Sequence, residues 1–190
     1  IACAYRVAPG EAVLAERGLE GFYTASLFRD PCHMLARMAQ GMELGRSFVA
    51  PEYWGSRSLD YLWQGIGAYL RRYPQVRYLF GAVSISAALP LPAREQLVAY
   101  YSHFYGSGAT TGKHALAASL RPFRYFAAPP SFGDMDADTA FGVLKGNLSA
   151  HGASVPVLYK QYTELCEPGG ARFLAFGVDP AFSDSIDGLI

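Results

Sequence analysis

The run "MELGRSFV" (residues 42–49) sets a carboxylate, Glu43, three residues before a guanidinium, Arg46, in an otherwise apolar strand-like stretch. A carboxylate withdrawn from water binds its proton more tightly, which suits it to act as a general base toward an amine. A structural ion pair, or a charge at the rim of a sheet, accounts for the same residues, because charged groups are rarely buried without partners. Strict pleating puts Glu43 and Arg46 on opposite faces, and a β-bulge would aim both into one cleft.

The residues after the strand supply a second chemical feature. "PEYWGSRS" (51–58) leads into a helix, so its loop ends at unpaired helical N–H groups suited to holding a phosphate. Gly55 permits close backbone approach, Ser56 and Ser58 offer hydroxyls, and Arg57 adds a cation. Plain helix capping uses the same residue types.

The elements that must position these groups follow from periodicity. Residues 1–8 and 42–50 read as strands. Leu59, Leu62, Trp63, Ile66 and Leu70 fall on one stripe and predict an amphipathic helix over 57–72, with Asp60 in its first turn. "RYLFGAVSIS" (77–86) reads as one buried strand, so 42–86 forms a βαβ unit with parallel strands. Helices are expected over 92–105, 136–150 and 156–166, the last with Ser154 as N-cap and Pro156 in its first turn. "ARFLAFGVDP" and "SIDGLI" close the chain as strands. Residues 106–133, rich in Gly, Ser, Pro and aromatics, form a long excursion. The class is α/β with a mixed sheet, read as a single domain over 1–190.

Composition narrows the functional classes. The 190 residues are 51% hydrophobic and 14% aromatic but only 17% charged, against about 25% in an ordinary soluble domain. Such a surface suits apolar ligands, a partner subunit or a membrane surface. The net charge is zero, which gives no support for nucleic-acid binding. The three cysteines (Cys3, Cys32, Cys166) are widely spaced and read as reduced, cytoplasmic thiols. His33, His103, His114 and His151 share no metal-ligand spacing, so no metal is expected. Arg71, Arg72 and Arg77 read either as a solvated helix end or as a docking patch for an acidic carrier protein. "YYSHFYG" and "RPFRYF" read either as core or as an acyl-chain lining.

Several ordered motifs resemble one family. "ELGRSFVAPEYWGSRSLDYLWQGIGAYL", then "YLFGAVSIS", is similar to the GNAT-fold acyltransferases that make lyso-ornithine lipid and to the hemolysin-like proteins beside them. "ACAYRV", "GFYTASLF" and "PVLYKQYTELCEPGGARFLAFGVDPAF" extend the resemblance over nearly the whole chain, most closely to the hemolysin-like branch. The Glu-x-Gly-Arg element also resembles acyl-homoserine-lactone synthases.

The resemblance implies a GNAT-like mixed sheet flanked by helices, with the family's upstream segment absent from this sequence. It implies transfer of a long-chain, 3-hydroxy acyl group from acyl carrier protein (or coenzyme A) to the α-amine of an amino acid such as ornithine. No permanently bound cofactor is implied. Glu43 becomes the base or amine anchor, Arg46 the companion that fixes Glu43 or a substrate carboxylate, and Ser84 or Ser86 a group assisting the thioester or its leaving thiol. Val49, Tyr53, Gly55, Ser56, Arg57 and Ser58 become the acyl-carrier-binding loop. The implied setting is cytoplasmic, with peripheral contact to the inner membrane. Where the family carries Cys-Val-His after the arginine, this chain has Phe48-Val49-Ala50, so no histidine stands there as an alternative base.

Overall fold

Strand β3 (Gly41–Val49) joins antiparallel β1 (Cys3–Pro9) on one side and parallel β4 (Tyr78–Phe80) on the other, a mixed three-stranded sheet. The computed structural model describes residues 1–29, 35–107 and 117–190. Its contacts group the chain into two compact units: Ile1–Ser26 with Pro31–Ala82, and Leu27–Asp30 with Val83–Ile190.

In the first unit, β1 runs directly into helix α1 (Gly10–Arg17), and α2 (Leu35–Ala39) leads into β3. Helix α3 (Ser58–Arg72) then carries the chain to β4. The expected βαβ unit is therefore present, with Gly41, Met42 and Glu43 facing Tyr78, Leu79 and Phe80 in parallel register. Asp60 in the first turn of α3 and Arg71 and Arg72 in its last turn complement the helix dipole. Of the α3 stripe only Ile66 is fully buried; Leu59, Leu62, Trp63 and Leu70 are half-buried.

The expectation of one continuous buried strand over 77–86 is corrected. The segment breaks at Gly81 into exposed β4 and a separate strand, β5 (Ala82–Ile85). A Cβ on Gly81 would lie 2.2 Å from the Leu44 carbonyl oxygen, so only glycine lets the chain pass β3 at this point. Pairing of β3 with β4 consequently ends at Glu43–Phe80, while β3 continues to Val49 beside β1 alone.

The second unit holds β2 (Phe28–Arg29) paired with β6 (Ala118–Ser119), and a sheet in the order β5, β8 (Ser185–Leu189), β7 (Ala175–Asp179). Helices α4 (Leu91–Tyr105), α5 (Ala137–Ala150) and α6 (Val157–Glu164) complete it. Its core gathers Val83, Ile85, Leu97, Leu144, Leu148, Phe173 and Ile186 around Tyr100, Tyr101 and Tyr159. The "YYSHFY" aromatics are thus packing residues: the Tyr101 ring lies 4.9 Å from Tyr159 and 5.3 Å from Phe173. The expected Ser154 cap is also corrected. Pro156 is the N-cap of α6, with no side-chain cap, because its fixed φ already sets the chain's path into the helix.

Candidate active site

Glu43 is only 1% exposed, and its carboxylate is almost fully engaged. Arg6 donates Nη2 to Oε2 at 2.7 Å, the Tyr23 N–H donates to the same oxygen at 3.2 Å, and the Thr24 N–H donates to Oε1 at 2.8 Å. A carboxylate offers about four lone-pair positions, so one is left. The cation fixing Glu43 is therefore Arg6 and not Arg46, a correction to the expected pairing. Register explains the choice. Glu43 faces Ala8 and Arg6 faces Gly45, so the two charges are diagonal neighbours on one sheet face. Gly45 has no side chain, and a Cβ there would lie 4.0 Å from Arg6 Nη2, so the guanidinium passes over it to the carboxylate.

Arg46 stands in the bulge anticipated from the spacing. Between the paired positions Ala4–Phe48 and Arg6–Gly45, β1 has one residue and β3 has two, Arg46 and Ser47. Arg46 takes φ 49°, the left-handed region, which costs a non-glycine residue on the order of 1 kcal/mol. Its exposed guanidinium lies 5.9 Å from the centre of the Tyr23 ring. Both charged side chains thus meet the same segment: Glu43 binds the N–H of Tyr23, and Arg46 covers its ring. Two buried groups beside them, Arg6 Nε and the Thr24 hydroxyl, have no hydrogen-bond partner. Beyond Glu43, alternate N–H and C=O groups of β3 point away from β1, with no paired strand on that side among the described residues.

The loop after β3 is closed largely by its own bonds. Trp54 donates its indole N–H to the Val49 carbonyl at 2.8 Å. The Ser56 hydroxyl lies 2.6 Å from the Tyr53 carbonyl and 2.8 Å from the Ser58 hydroxyl, and it accepts the Ser58 N–H at 3.2 Å. The two serines therefore shape the helix start. Gly55 has φ 75° and open space around its missing Cβ, so its requirement is conformational and not a close approach by protein atoms. Arg57 is exposed and lies 3.4 Å from Asp60, a weak surface pair. Tyr53 is exposed and Val49 half-buried.

Ser84 belongs to the second unit, half-buried in β5, and Ser86 is exposed just beyond that strand. Near Ser84 the structure reveals a residue that sequence reasoning missed: Asp187 of β8, 1% exposed. Burial raises its pKa, the Ser84 side chain partly offsets this, and the neighbouring Asp179 carboxylate adds to the rise. Neither Asp187 oxygen has a donor within strict hydrogen-bond geometry. The one signal in the sequence was an acid at an interior position of the strand "SIDGLI". Tyr159, in the "LYKQY" motif, is fully buried and donates its hydroxyl to the Val83 carbonyl at 2.9 Å. Among the described residues Lys160 makes an exposed pair with Glu164 at 3.7 Å. Cys32, His33 and His114 lie outside the described residues.

Residues 1–64 match a family described as acetyltransferase (GNAT) domain. The chain is 42% identical over 77 residues to an L-ornithine N(alpha)-acyltransferase of Brucella abortus, covering 40% of this chain and 27% of that protein. It is 39% identical over 88 residues to an L-ornithine N(alpha)-acyltransferase of Agrobacterium fabrum, covering 45% and 28%. It is 28% identical over 127 residues to a glycine N(alpha)-acyltransferase of Phocaeicola vulgatus, covering 62% and 37%. The chain thus spans between 27% and 37% of the length of these curated relatives. No solved structure matches. The similarity to a GNAT domain thus covers the N-terminal third of the chain, and the similarity to N-acyltransferases covers part of it.

Proposed function

We propose that the protein is an N-acyltransferase that moves a long-chain, 3-hydroxy acyl group from acyl carrier protein to the α-amine of an amino acid such as ornithine, in membrane-lipid synthesis. The observation that carries this reading is the parting of β3 from β4 immediately after Glu43, with a bulge at Arg46 and a loop running to the N-terminus of α3. A parted strand leaves backbone N–H groups free to polarise a thioester carbonyl, and a helix N-terminus suits the phosphate of a pantetheine arm.

In the reaction the amine nitrogen attacks the thioester carbon, a C–N bond forms, the C–S bond breaks, and the sulfur leaves as a thiol after taking up a proton. Loop residues Val49 to Ser58, with the Arg57 cation, hold the pantetheine arm. Arg46 and the unpartnered donors Arg6 Nε and Thr24 Oγ1 bind the acceptor's carboxylate. Glu43 serves as the anchor that fixes Arg6 and the Tyr23–Thr24 backbone, since three donors already occupy it. The exposed cations Arg71, Arg72 and Arg77 are suited to steering an acidic carrier protein.

The test is to incubate the full-length protein with acyl carrier protein or coenzyme A thioesters and either ornithine or glycine, following thiol release and the mass of the amide. Amide from the carrier-protein thioester supports the reading, and folded protein that makes none from any pairing removes it.

A second reading, lipid-surface binding without turnover, is favoured by the exposed aromatics Phe48, Tyr53, Trp54 and Tyr61, of which Trp54 is 73% exposed. Among the described residues no helix is long and apolar enough to cross a membrane, so this contact would be peripheral. Flotation with anionic vesicles in the absence of any turnover would favour it.

A further inference from the structure

The segment "LRPFRYFAAPP" (120–130) of the second unit sorts its side chains by depth. Its start is held beside β7: the Val178 N–H donates to the Arg121 carbonyl at 2.9 Å, and the Phe123 N–H to the Phe176 carbonyl at 3.1 Å. A Cβ on Gly177 would lie 1.9 Å from the Ser119 hydroxyl oxygen, so a glycine in β7 is what admits the segment. Phe123 and Tyr125 pack against the core, their ring centres 5.1 Å apart. Arg121, Arg124 and Phe126 are exposed, as are Ala127, Ala128 and Pro129. The stretch expected to be either core or acyl-chain lining is therefore divided, and Phe126 presents its ring to solvent at 88% exposure.

Single exposed apolar residues are common, but the surroundings of this one point to a ligand. Its backbone is fixed, the Phe126 N–H donating to the Glu95 carboxylate. Pro129 and Pro130 carry no N–H, so within 126–130 only Ala127 and Ala128 bring a donor that must be stripped of water. The tip can therefore enter an apolar medium at small polar cost. Beside it, the Arg121 and Arg124 guanidiniums make no ion pair among the described residues. No acid occurs in the sequence between Glu95 and Asp134, and Glu95 is engaged by the Phe126 N–H. This segment thus carries unbalanced positive charge in a chain whose net charge is zero.

Size and charge together select the occupant. An aromatic side chain contributes about 150–250 Å², well short of the roughly 800 Å² per partner in a stable protein interface. A bilayer demands less complementary shape: a ring and small apolar residues enter the boundary between headgroups and acyl chains while neighbouring guanidiniums meet lipid phosphates. We propose that the tip 126–130, flanked by Arg121 and Arg124, inserts into the surface of an anionic phospholipid bilayer. This contact lies wholly within the second unit, needs no acyl transfer, and is distinct from the aromatic surface around Trp54 in the first unit.

The test is flotation of the full-length protein with phosphatidylcholine vesicles, with and without phosphatidylglycerol. Wild type is compared with Phe126→Ser, with the double variant Arg121→Gln/Arg124→Gln, and with Trp54→Ser. The changed side chains are all exposed, and thermal melting is the folding control. The expected result is binding to the anionic vesicles that weakens about 10-fold in Phe126→Ser and about 30-fold in the double variant. Raised salt should weaken the wild type and have little effect on what binding the double variant keeps. Variants at 121, 124 and 126 that bind as wild type overturn the inference, as does equal binding to neutral and anionic vesicles. A loss confined to Trp54→Ser overturns it too, by assigning the membrane contact to the first unit. Wild-type protein that ignores both kinds of vesicle leaves the tip to a protein partner and likewise defeats it.

Discussion

Replacing Glu43 with Gln tests whether this carboxylate is an anchor or a base. Three donors converge on it: Arg6 Nη2 and the Tyr23 N–H on one oxygen, and the Thr24 N–H on the other. An amide keeps one acceptor oxygen and turns the other position into a donor. In its better orientation the oxygen stays with Arg6 and Tyr23, and the NH2 group then faces the buried Thr24 N–H. One unsatisfied buried donor costs about 1–3 kcal/mol, and exchanging a charged acceptor for a neutral one costs about 1 kcal/mol more. The second term stays small because Arg6 is 39% exposed and water can replace part of the bond. The sum is about 2–4 kcal/mol, or a fall in melting temperature of roughly 5–15 °C for a chain of this size. Urea denaturation should show the midpoint falling at unchanged slope. Arg6→Met should cost a similar amount, and the double variant should cost less than the two singles added, with a coupling of about 1–3 kcal/mol. If E43Q is as stable as wild type within about 0.5 kcal/mol and yet loses turnover by orders of magnitude, the anchor argument is wrong and Glu43 is the base.

Gly81→Ala puts a Cβ 2.2 Å from the Leu44 carbonyl oxygen; that neighbour is backbone and cannot rotate away, so a loss of about 1–3 kcal/mol is expected, and an unchanged denaturation midpoint would contradict the close approach. Asp187→Asn should stabilise the protein at neutral pH. The folded pKa of Asp187 lies above its ordinary 3.8, so the folded state holds a proton that the unfolded chain has already lost between those two values. Wild-type stability therefore falls as pH rises through that window. The gain from Asn should be full above the folded pKa and vanish toward pH 3.8. Urea midpoints from pH 4 to pH 8 measure it, and a gain independent of pH would contradict an uncompensated charge.

Much of the scaffold was legible because it rests on local periodicity. The α3 stripe, the parallel β3–α3–β4 unit and the helix over α4 follow from spacings within a single window of the chain. What stayed hidden depends on contacts distant in sequence. The resemblance made Arg46 the companion that fixes Glu43 or a substrate carboxylate. The actual partner, Arg6, is chosen by antiparallel register and by Gly45, a residue whose contribution is the side chain it lacks. "YLFGAVSIS" reads as one strand because nothing in its composition marks Gly81 as the place where the chain crosses a carbonyl oxygen. Asp187 could not be distinguished from a rim charge without seeing that it is buried. Nothing local marks Tyr159 either, and only the fold shows its hydroxyl on the Val83 carbonyl.

These contacts shift where the reactivity of the site must come from. Glu43 joins β1 through Arg6, β3 through its own backbone, and the Tyr23–Thr24 segment through two N–H groups. The left-handed residue Arg46 lies three positions along the same strand, stacked on the ring of the residue whose N–H Glu43 holds. A strained bulge persists only where its surroundings over-determine it, and this arrangement supplies that constraint. In the proposed acyl transfer the carboxylate would act through geometry: it would keep the bulge and the free edge of β3 in place, so that donors are already aligned when a carbonyl oxygen gains charge. Such prealignment costs no reorganisation at the moment of reaction. Loss of the anchor should therefore lower activity and stability together, whereas loss of a base would lower activity alone.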